Sequence, residues 1–153
     1  MDEVEIGPAI EEDVARIIEL YRDLTITTSE VEAGRNLSLD EYQRVFAEIS
    51  AVRGHELLVI RLGREVVGTL VLLIVPNLSH AASPWALLEN LIIDRNYRRR
   101  GLGRMLMEHA ISRARESGCY KIALSSDSSR GEAHDFYRSL GFEASAHGFR
   151  RFF

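Results

Sequence analysis

Cysteine, long apolar runs and net positive charge are what this chain lacks, and each shortage excludes something. A single cysteine, Cys119, in 153 residues leaves no internal disulfide to form and suits a reducing compartment. Cys119 follows Gly118 and precedes an apolar stretch, a setting in which a thiol usually serves as a small buried hydrophobe. The longest apolar run, "VVGTLVLLIVP", is about half of what a membrane-spanning helix needs. With 19 basic against 23 acidic side chains the net charge is −4, so the protein as a whole is not drawn to nucleic acid or to an anionic bilayer. The opening "MDEVEIGPAIEED" is acidic and has no apolar centre, unlike a secretory signal. "NLS" at Asn36 and Asn77 matches the glycosylation pattern but means little without one. There is no internal repeat and no low-complexity segment. What is present is an ordinary globular mixture, 46% hydrophobic and 27% charged, enough for one domain over residues 1–153 with one sizeable core. The expected compartment is the cytoplasm.

The apolar pattern then sets out the elements. "EVEI" is a short strand closed by Gly7-Pro8. From Glu11 onward, Val14, Ile17, Ile18 and Tyr21 have the spacing of one helix face, although Ile10 cannot cap it. "TITTSEVEAGRN" is a loop. Ser38 and Glu41 form a capping box, with Leu37 and Tyr42 placed as a hydrophobic staple; Tyr42, Val45, Phe46 and Ile49 should be that helix's buried face. "HELLVIRL" and "EVVGTLVLLIV", joined at "LGR", make an antiparallel hairpin. Pro76 ends it, and "NLSHAASP" is loop. "WALLENLIID" reads as a central strand covered on both faces, with Trp85 at its start read as core. The helix after it should bury Leu102, Met105, Leu106 and Ala110 and stop at Gly118.

"YKIALSS" is a further strand. "EAHDFYRSLG" is a short helix with Ala133, Phe136, Tyr137 and Leu140 on one side and Gly141 as its stop. The tail "FEASAHGFRRFF" reads as two short strands bent at Gly148. Strand, helix, strand over residues 85–126 makes those two strands parallel, while the rest pair antiparallel. The expected fold is α/β (mixed α+β), a mostly antiparallel sheet of six to seven strands with helices on both faces.

"NYRRRGLGRML" sits where a buried strand ends at Asp94 and a helix begins near Gly101. The first turn of a helix has unpaired N–H groups and partial positive charge, and glycine lets an anion approach the backbone. A phosphate or pyrophosphate fits such a turn. A dinucleotide fingerprint would need glycine where Leu106 stands, and a Walker loop would need Gly-Lys-Ser/Thr. What remains is Arg98-x-x-Gly101-x-Gly103. Taken alone it fits equally a solvated turn whose glycines pack helix against strand.

Two longer segments carry a resemblance. "LLENLIIDRNYRRRGLGRMLMEHAISRAR" resembles the signature of the GCN5-related N-acetyltransferases: a strand, then Arg/Gln-x-x-Gly-x-Gly/Ala, then a helix. "AHDFYRSLGFE" is similar to the same family's second signature. With the element order, the resemblance covers nearly the whole chain. It implies an acetyl-CoA site in which backbone groups of Leu91, Ile92 and Ile93 pair with the pantetheine arm as if it were a strand. That requires the parallel pair to splay, helped by a bulge in the first strand. It also implies a pyrophosphate on the N–H groups of Arg99, Arg100, Gly101, Leu102, Gly103 and Arg104, with Arg98 and the other arginine side chains adding long-range attraction.

Acetyl transfer from a thioester to an amine needs a deprotonated amine, donors for the tetrahedral oxyanion and a proton for the departing sulfur. By resemblance Tyr137 is the acid, although its spacing with Phe136 and Leu140 also reads as core. Glu89 is a carboxylate inside an apolar strand, so it must be exposed, paired or protonated. The resemblance makes it the base that deprotonates the amine; the alternative is a salt bridge to one of the arginines. The oxyanion donor would be the N–H of Leu91. At Arg130 the chain departs from the family, where asparagine is common. "S-S-R-x-x-A-H-x-F-Y" is similar instead to a branch that includes aminoalkylphosphonate acetyltransferases. Arg130 and His134 would then contact CoA or an acidic group on the acceptor, or else they simply face solvent from an exposed helix. No metal is expected.

With no cysteine or serine placed for an acyl-enzyme, direct transfer in a ternary complex is expected. The acceptor is a small amine if the short, somewhat acidic 25–36 loop receives a cation. It is a protein amino group if the likeness of "NYRRRGLGRMLMEHA" to ribosomal-protein N-terminal acetyltransferases governs. A CoA-binding module without turnover is a second class. Nucleic-acid binding through Arg95, Arg98, Arg99, Arg100 and Arg104 is a third, opposed by the net charge and by the lack of interleaved aromatics. The resemblance adds a homodimer, joined through the C-terminal strands.

Overall fold

A two-residue turn, Gly63-Arg64, folds the strand β2 (His55–Leu62) back on β3 (Glu65–Val75), and the rest of the sheet grows outward from this hairpin. The computed structural model describes residues 2–24, 29–126 and 130–153. Its other elements are β1 (Val4–Pro8), α1 (Val14–Tyr21), α2 (Leu39–Ala51), α3 (Ser79–Ala82), β4 (Trp85–Ile93), α4 (Leu102–Glu116), β5 (Ile122–Leu124) and α5 (Gly131–Ser139). The strands lie in the order β1-β2-β3-β4-β5, antiparallel throughout except for the parallel pair β4 and β5. The expected α/β class, the hairpin and the parallel pair are all present.

Alternation along the strands loads both faces of the sheet. Leu58 and Ile60 of β2, with Leu70, Leu72, Ala86 and Leu88, pack under Leu102, Leu106, Met107 and Ala110 of α4. On the opposite face Val59, Val66 and Ile92 meet Ile17 and Leu20 of α1. No helix among the described residues is long and apolar enough to cross a membrane.

Local signals explain most boundaries. The Ser38 hydroxyl accepts the Glu41 N–H at 3.3 Å while the Glu41 carboxylate accepts the Ser38 N–H at 2.7 Å, the reciprocal box expected at the start of α2. Ahead of α1, Ile10 supplies no cap, and the Asp13 carboxylate reaches back to the Ile10 N–H at 2.8 Å instead. Gly118 and Gly141, with φ of 79° and 89°, end α4 and α5 in the left-handed conformation that glycine adopts without strain.

Several expectations need correction, beginning with the 77–84 segment, read as loop, where Ser79–Ala82 form the short α3. Val45 is 45% exposed, and no residue of α2 is fully buried. Met105 is 40% exposed because it lies about 120° around the helix, at 3.6 residues per turn, from the centre of the Leu102–Leu106–Met107–Ala110 stripe. Met107 is the buried methionine. The sheet has five strands, since residues 142–153 form none. β5 pairs over only three residues, so it offers little edge for a tail strand to join. Of the 25–36 loop, residues 25–28 lie outside the described residues, as do residues 127–129 before α5.

Candidate active site

The site begins with a phase slip in β4. Ala86 and Leu88 face the α4 side of the sheet, and so do Leu91 and Ile93, although strict alternation would have chosen residues 90 and 92. The register shows why. Glu89 pairs with Val71 and Ile92 with Thr69, so Asn90 and Leu91 together oppose Leu70. This is a β-bulge, with Asn90 left-handed at φ 55°. Glu89 and Asn90 are exposed in an otherwise covered strand. β5 pairs with β4 only at Ala86–Leu88, opposite Ile122–Leu124, and beyond the bulge the two strands part. The backbone edge of Leu91, Ile92 and Ile93 on that side is left without a neighbouring strand. Gly68 fixes where this end of β4 lies, because a Cβ there would sit 2.4 Å from Ile93 Cδ1 and 2.9 Å from the Ile92 carbonyl oxygen.

A cleft of about 420 Å³ opens at the splay, within the size range of small-ligand sites. Among the expected residues, Glu89, Leu91, Arg130 and Tyr137 line it together. Glu89 makes no ion pair among the described residues, so the salt-bridge alternative is not realised. Tyr137 stands between the core and the cleft. Its ring lies 5.4 Å from Phe136 and 6.2 Å edge-on from Phe142, at the border of the core, while its side chain also faces the cleft. Burial raises the Tyr137 phenol above its ordinary range, and the Arg130 charge pulls it partly back.

Several lining residues were not foreseen. Tyr21 comes from the end of α1; burial raises its phenol, opposed by side-chain hydrogen bonds with Asn90 and Thr69. Glu32 comes from the loop between α1 and α2, and Arg150 and Phe152 come from the C-terminal tail. That tail is tied to the loop where the Val31 N–H donates to the Phe153 carbonyl at 3.2 Å. Ser125 and Ser126 also line the cleft, so serine is present after all. The Ser126 hydroxyl is buried without a hydrogen-bond partner among the described residues, so no base among them is bonded to it to activate it as a nucleophile. Asn90, also in the lining, left a mark in the sequence as half of the polar interruption "EN" in β4, and Glu32 as part of the acidic 25–36 loop. Cys119 is half-buried against the core, its thiol raised by burial, and is not among the lining residues.

The arginine-glycine turn lies outside the cleft lining but adjoins it. A Cβ on Gly103 would lie 3.6 Å from Ile93 Cγ1 and 3.7 Å from Phe136 Cζ, so Gly103 packs the start of α4 against β4 and α5. Gly101 differs, being left-handed at φ 77° with nothing within 4 Å of an added Cβ. Arg99 is left-handed too, at φ 61°. Left-handed residues in a turn gather N–H groups into an anion-binding concavity. The N–H groups of Arg99, Arg100, Gly101, Leu102, Gly103 and Arg104 meet no protein acceptor among the described residues. Orphan donors in open space beside a helix N-terminus fit a diphosphate.

The arginine side chains here are only partly engaged. Arg98 Nε donates to the Ile93 carbonyl at 3.0 Å, and Arg104 Nη2 to Ser139 Oγ at 2.6 Å. Arg100 lies over the Tyr97 ring at 5.2 Å. Arg99 has no partner among the described residues. His134 sits on α5 outside the cleft lining.

This geometry has relatives. A glucosamine 6-phosphate N-acetyltransferase from Trypanosoma brucei brucei is 35% identical over 79 residues, 52% of this chain and 52% of the relative, so the chain spans about half of that protein's length. A [Ribosomal protein bS18]-alanine N-acetyltransferase from Salmonella typhimurium is 42% identical over 57 residues, 37% of this chain and 38% of the relative. The crystal structure of a transcriptional regulator from Bacillus halodurans C-125 superposes with a TM-score of 0.86 at 32% identity, covering 99% of this chain and 100% of that one. Residues 15–142 match the Acetyltransferase (GNAT) family, and with that match, the splayed parallel pair and the glycine turn between them, the chain belongs to this family.

Proposed function

We propose that the protein transfers an acetyl group from acetyl-CoA to the primary amine of a small molecule, directly and within a ternary complex. The observation that carries this reading is the meeting of Glu89, Leu91 and Tyr137 in one cleft at the bulge that parts β4 from β5. Acetyl-CoA would supply the activated thioester. Its pantetheine arm would pair with the open edge of Leu91, Ile92 and Ile93. Its diphosphate would rest on the N–H groups from Arg99 to Arg104, with Arg98 nearby.

Each lining group then has a task its surroundings support. A primary ammonium, with a pKa of about 10.4, must lose a proton before it can attack, and the Glu89 carboxylate, exposed and without an ion pair among the described residues, would take it directly or through water. The Leu91 N–H would donate to the oxyanion. Tyr137, held protonated by burial, would give its proton to the sulfur. Cys119 is not among the lining residues and the Ser126 hydroxyl has no hydrogen-bonded base among the described residues, which supports direct transfer over an acyl-enzyme. The Salmonella relative's action on a ribosomal protein favours a peptide amine as the second reading. The proposed setting is a homodimer in the cytoplasm.

A thiol-release screen over free amines and peptides, with a no-amine control, tests this. Small amines should release thiol. Tyr137→Phe should lower turnover about a hundredfold, in the range of general acid catalysis, while acetyl-CoA still protects against heating. Equal loss of both would make Tyr137 a packing residue. Protection without release on any amine would make the protein a binding module.

A further inference from the structure

We propose that Tyr21 is a positioning residue: acting through Asn90, it fixes the bulge in β4 from which Glu89 and Leu91 reach the cleft. The proposal rests on the acyl-transfer reading above and adds to it a side chain from α1.

The bulge is the part of β4 least able to hold itself. Asn90 is exposed and left-handed at φ 55°, a conformation that residues other than glycine adopt at a cost. Pairing with β5 ends before it, at Leu88, so one side of the strand gives no support there. Tyr21, at the end of α1, lines the cleft together with Asn90. It packs against the cluster that holds Ile92, and its hydroxyl is hydrogen-bonded with the side chains of Asn90 and Thr69.

Counting protons gives these bonds a direction. Thr69 is fully buried, and its hydroxyl donates to the Leu58 carbonyl at 2.7 Å. A hydroxyl has one proton, so towards Tyr21 the Thr69 oxygen can only accept. The single phenol proton of Tyr21 therefore goes to Thr69, and the Tyr21 oxygen accepts from the Asn90 amide. The chain runs from Asn90 Nδ2 to Tyr21 Oη, to Thr69 Oγ1 and to the Leu58 carbonyl, from the exposed bulge through β3 to β2. Its inner end is buried and satisfied, the condition under which such a network rigidifies what it touches.

The same count separates the two phenols of the cleft. The Tyr21 proton is committed to the interior. Tyr137 has no hydrogen-bond partner among the described residues, so its proton is the one left for the departing sulfur. Tyr21 serves the reaction only by holding Asn90, and with it the neighbouring Glu89 carboxylate and Leu91 N–H.

Tyr21→Phe removes the link and keeps the ring. Asn90 can then turn to water, so thermal unfolding should move by no more than about 4 °C. Turnover on the best amine of the thiol-release screen should fall about tenfold, within what a misplaced reacting geometry costs. The KM for acetyl-CoA should change less than about twofold, because the diphosphate donors lie elsewhere. The alkaline limb of the kcat–pH profile should stay in place, since Tyr137 remains the acid. Asn90→Gly keeps the left-handed backbone without strain but lacks the amide, and it should slow turnover by a similar factor. The double variant should be no slower than the slower single one, because both break one link.

Unchanged turnover in Tyr21→Phe, losses that multiply in the double variant, or an alkaline limb that vanishes with the Tyr21 hydroxyl would overturn the proposal and leave acyl transfer standing. Amide hydrogen exchange supplies a readout without turnover: residues 86–93 should exchange faster in Tyr21→Phe while α4 does not change. Equal exchange over 86–93 would overturn the proposal too. If the unaltered protein releases thiol with no amine, the transfer reading falls, and the exchange result alone decides whether Tyr21 anchors the bulge.

Discussion

Two populations of arginine share this small acidic protein, and they differ in what holds them. Arg61 grips the buried Asp13 carboxylate with both Nη atoms, Arg16 is bonded to Asp94, and Arg113 holds Glu56 at 3.0 and 3.2 Å. Each joins elements distant in sequence. Arg99, Arg100 and Arg130 have no carboxylate partner among the described residues. One stands alone, one lies against a carbonyl and a ring, and one lines the cleft. The net charge of −4 conceals this division, because paired acids cancel the structural arginines and leave positive charge concentrated beside the cleft and the glycine turn. Charge that serves the fold is neutralised locally; Arg99, Arg100 and Arg130, beside the turn and the cleft, have no carboxylate among the described residues to neutralise them.

The sharpest way to break this comparison is to exchange the fates of the two groups. Arg61→Met strands the Asp13 carboxylate, whose side chain is only 6% exposed, and should destabilise the fold by about 3 kcal/mol, the low end for a broken buried pair. Denaturant unfolding measures it, and acetyl-CoA protection should persist on the folded fraction. Arg99→Gln with Arg100→Gln should do the reverse, shifting unfolding by no more than about 0.5 kcal/mol while weakening acetyl-CoA binding about tenfold, as expected for lost charge-assisted contacts. A large stability loss in that double variant would erase the distinction.

The mildest probe is acid. At Asp13 burial pushes the carboxyl up, but the Arg61 and Ile10 hydrogen bonds outweigh it; at Asp94 the Asn96 N–H leads, aided by Arg16, and both groups titrate below the ordinary range. The folded state therefore binds fewer protons than the unfolded one. Stability from these groups is complete above the unfolded pKa of about 3.9 and is lost as pH falls through the folded values. Equilibrium unfolding at a series of pH values should show that decline, with no matching change for an Asp13→Asn Arg61→Met double variant beyond what Asp94 contributes.

How far the fold could be read in advance follows from how local each signal is. The Ser38–Glu41 box, the turn at Gly63 and the stops at Gly118 and Gly141 depend on residues a few positions apart, and they appear where the sequence puts them. The face of α2 depended on what covers it: Tyr42, Phe46 and Ile49 are half-buried while Val45 points away. The tail misled for a related reason. Its phenylalanines suit a strand, but a strand needs a free edge. Phe149 is 95% exposed.

The candidate site divides along the same line. Glu89, Leu91 and Tyr137 stood within recognisable segments, and the cleft unites them. Arg150 and Phe152 were hidden because only the folded tail brings them to β4. Ser126 carried no mark, since a lone serine after a strand looks like any loop residue. In "LLENLII" the bulge was written as a missed beat between Leu88 and Leu91, which a reading tuned to continuous apolar strands passes over.

That extra residue ties the cleft to the interior of the protein. Deleting Asn90 would close the gap between the strands, but it would also turn Leu91 and Ile93 out of the hydrophobic interior and push Ile92 into their place, because neighbouring side chains in a strand point to opposite sides. The opening is thereby insured by the packing beneath it, and the molecule cannot lose one without disordering the other.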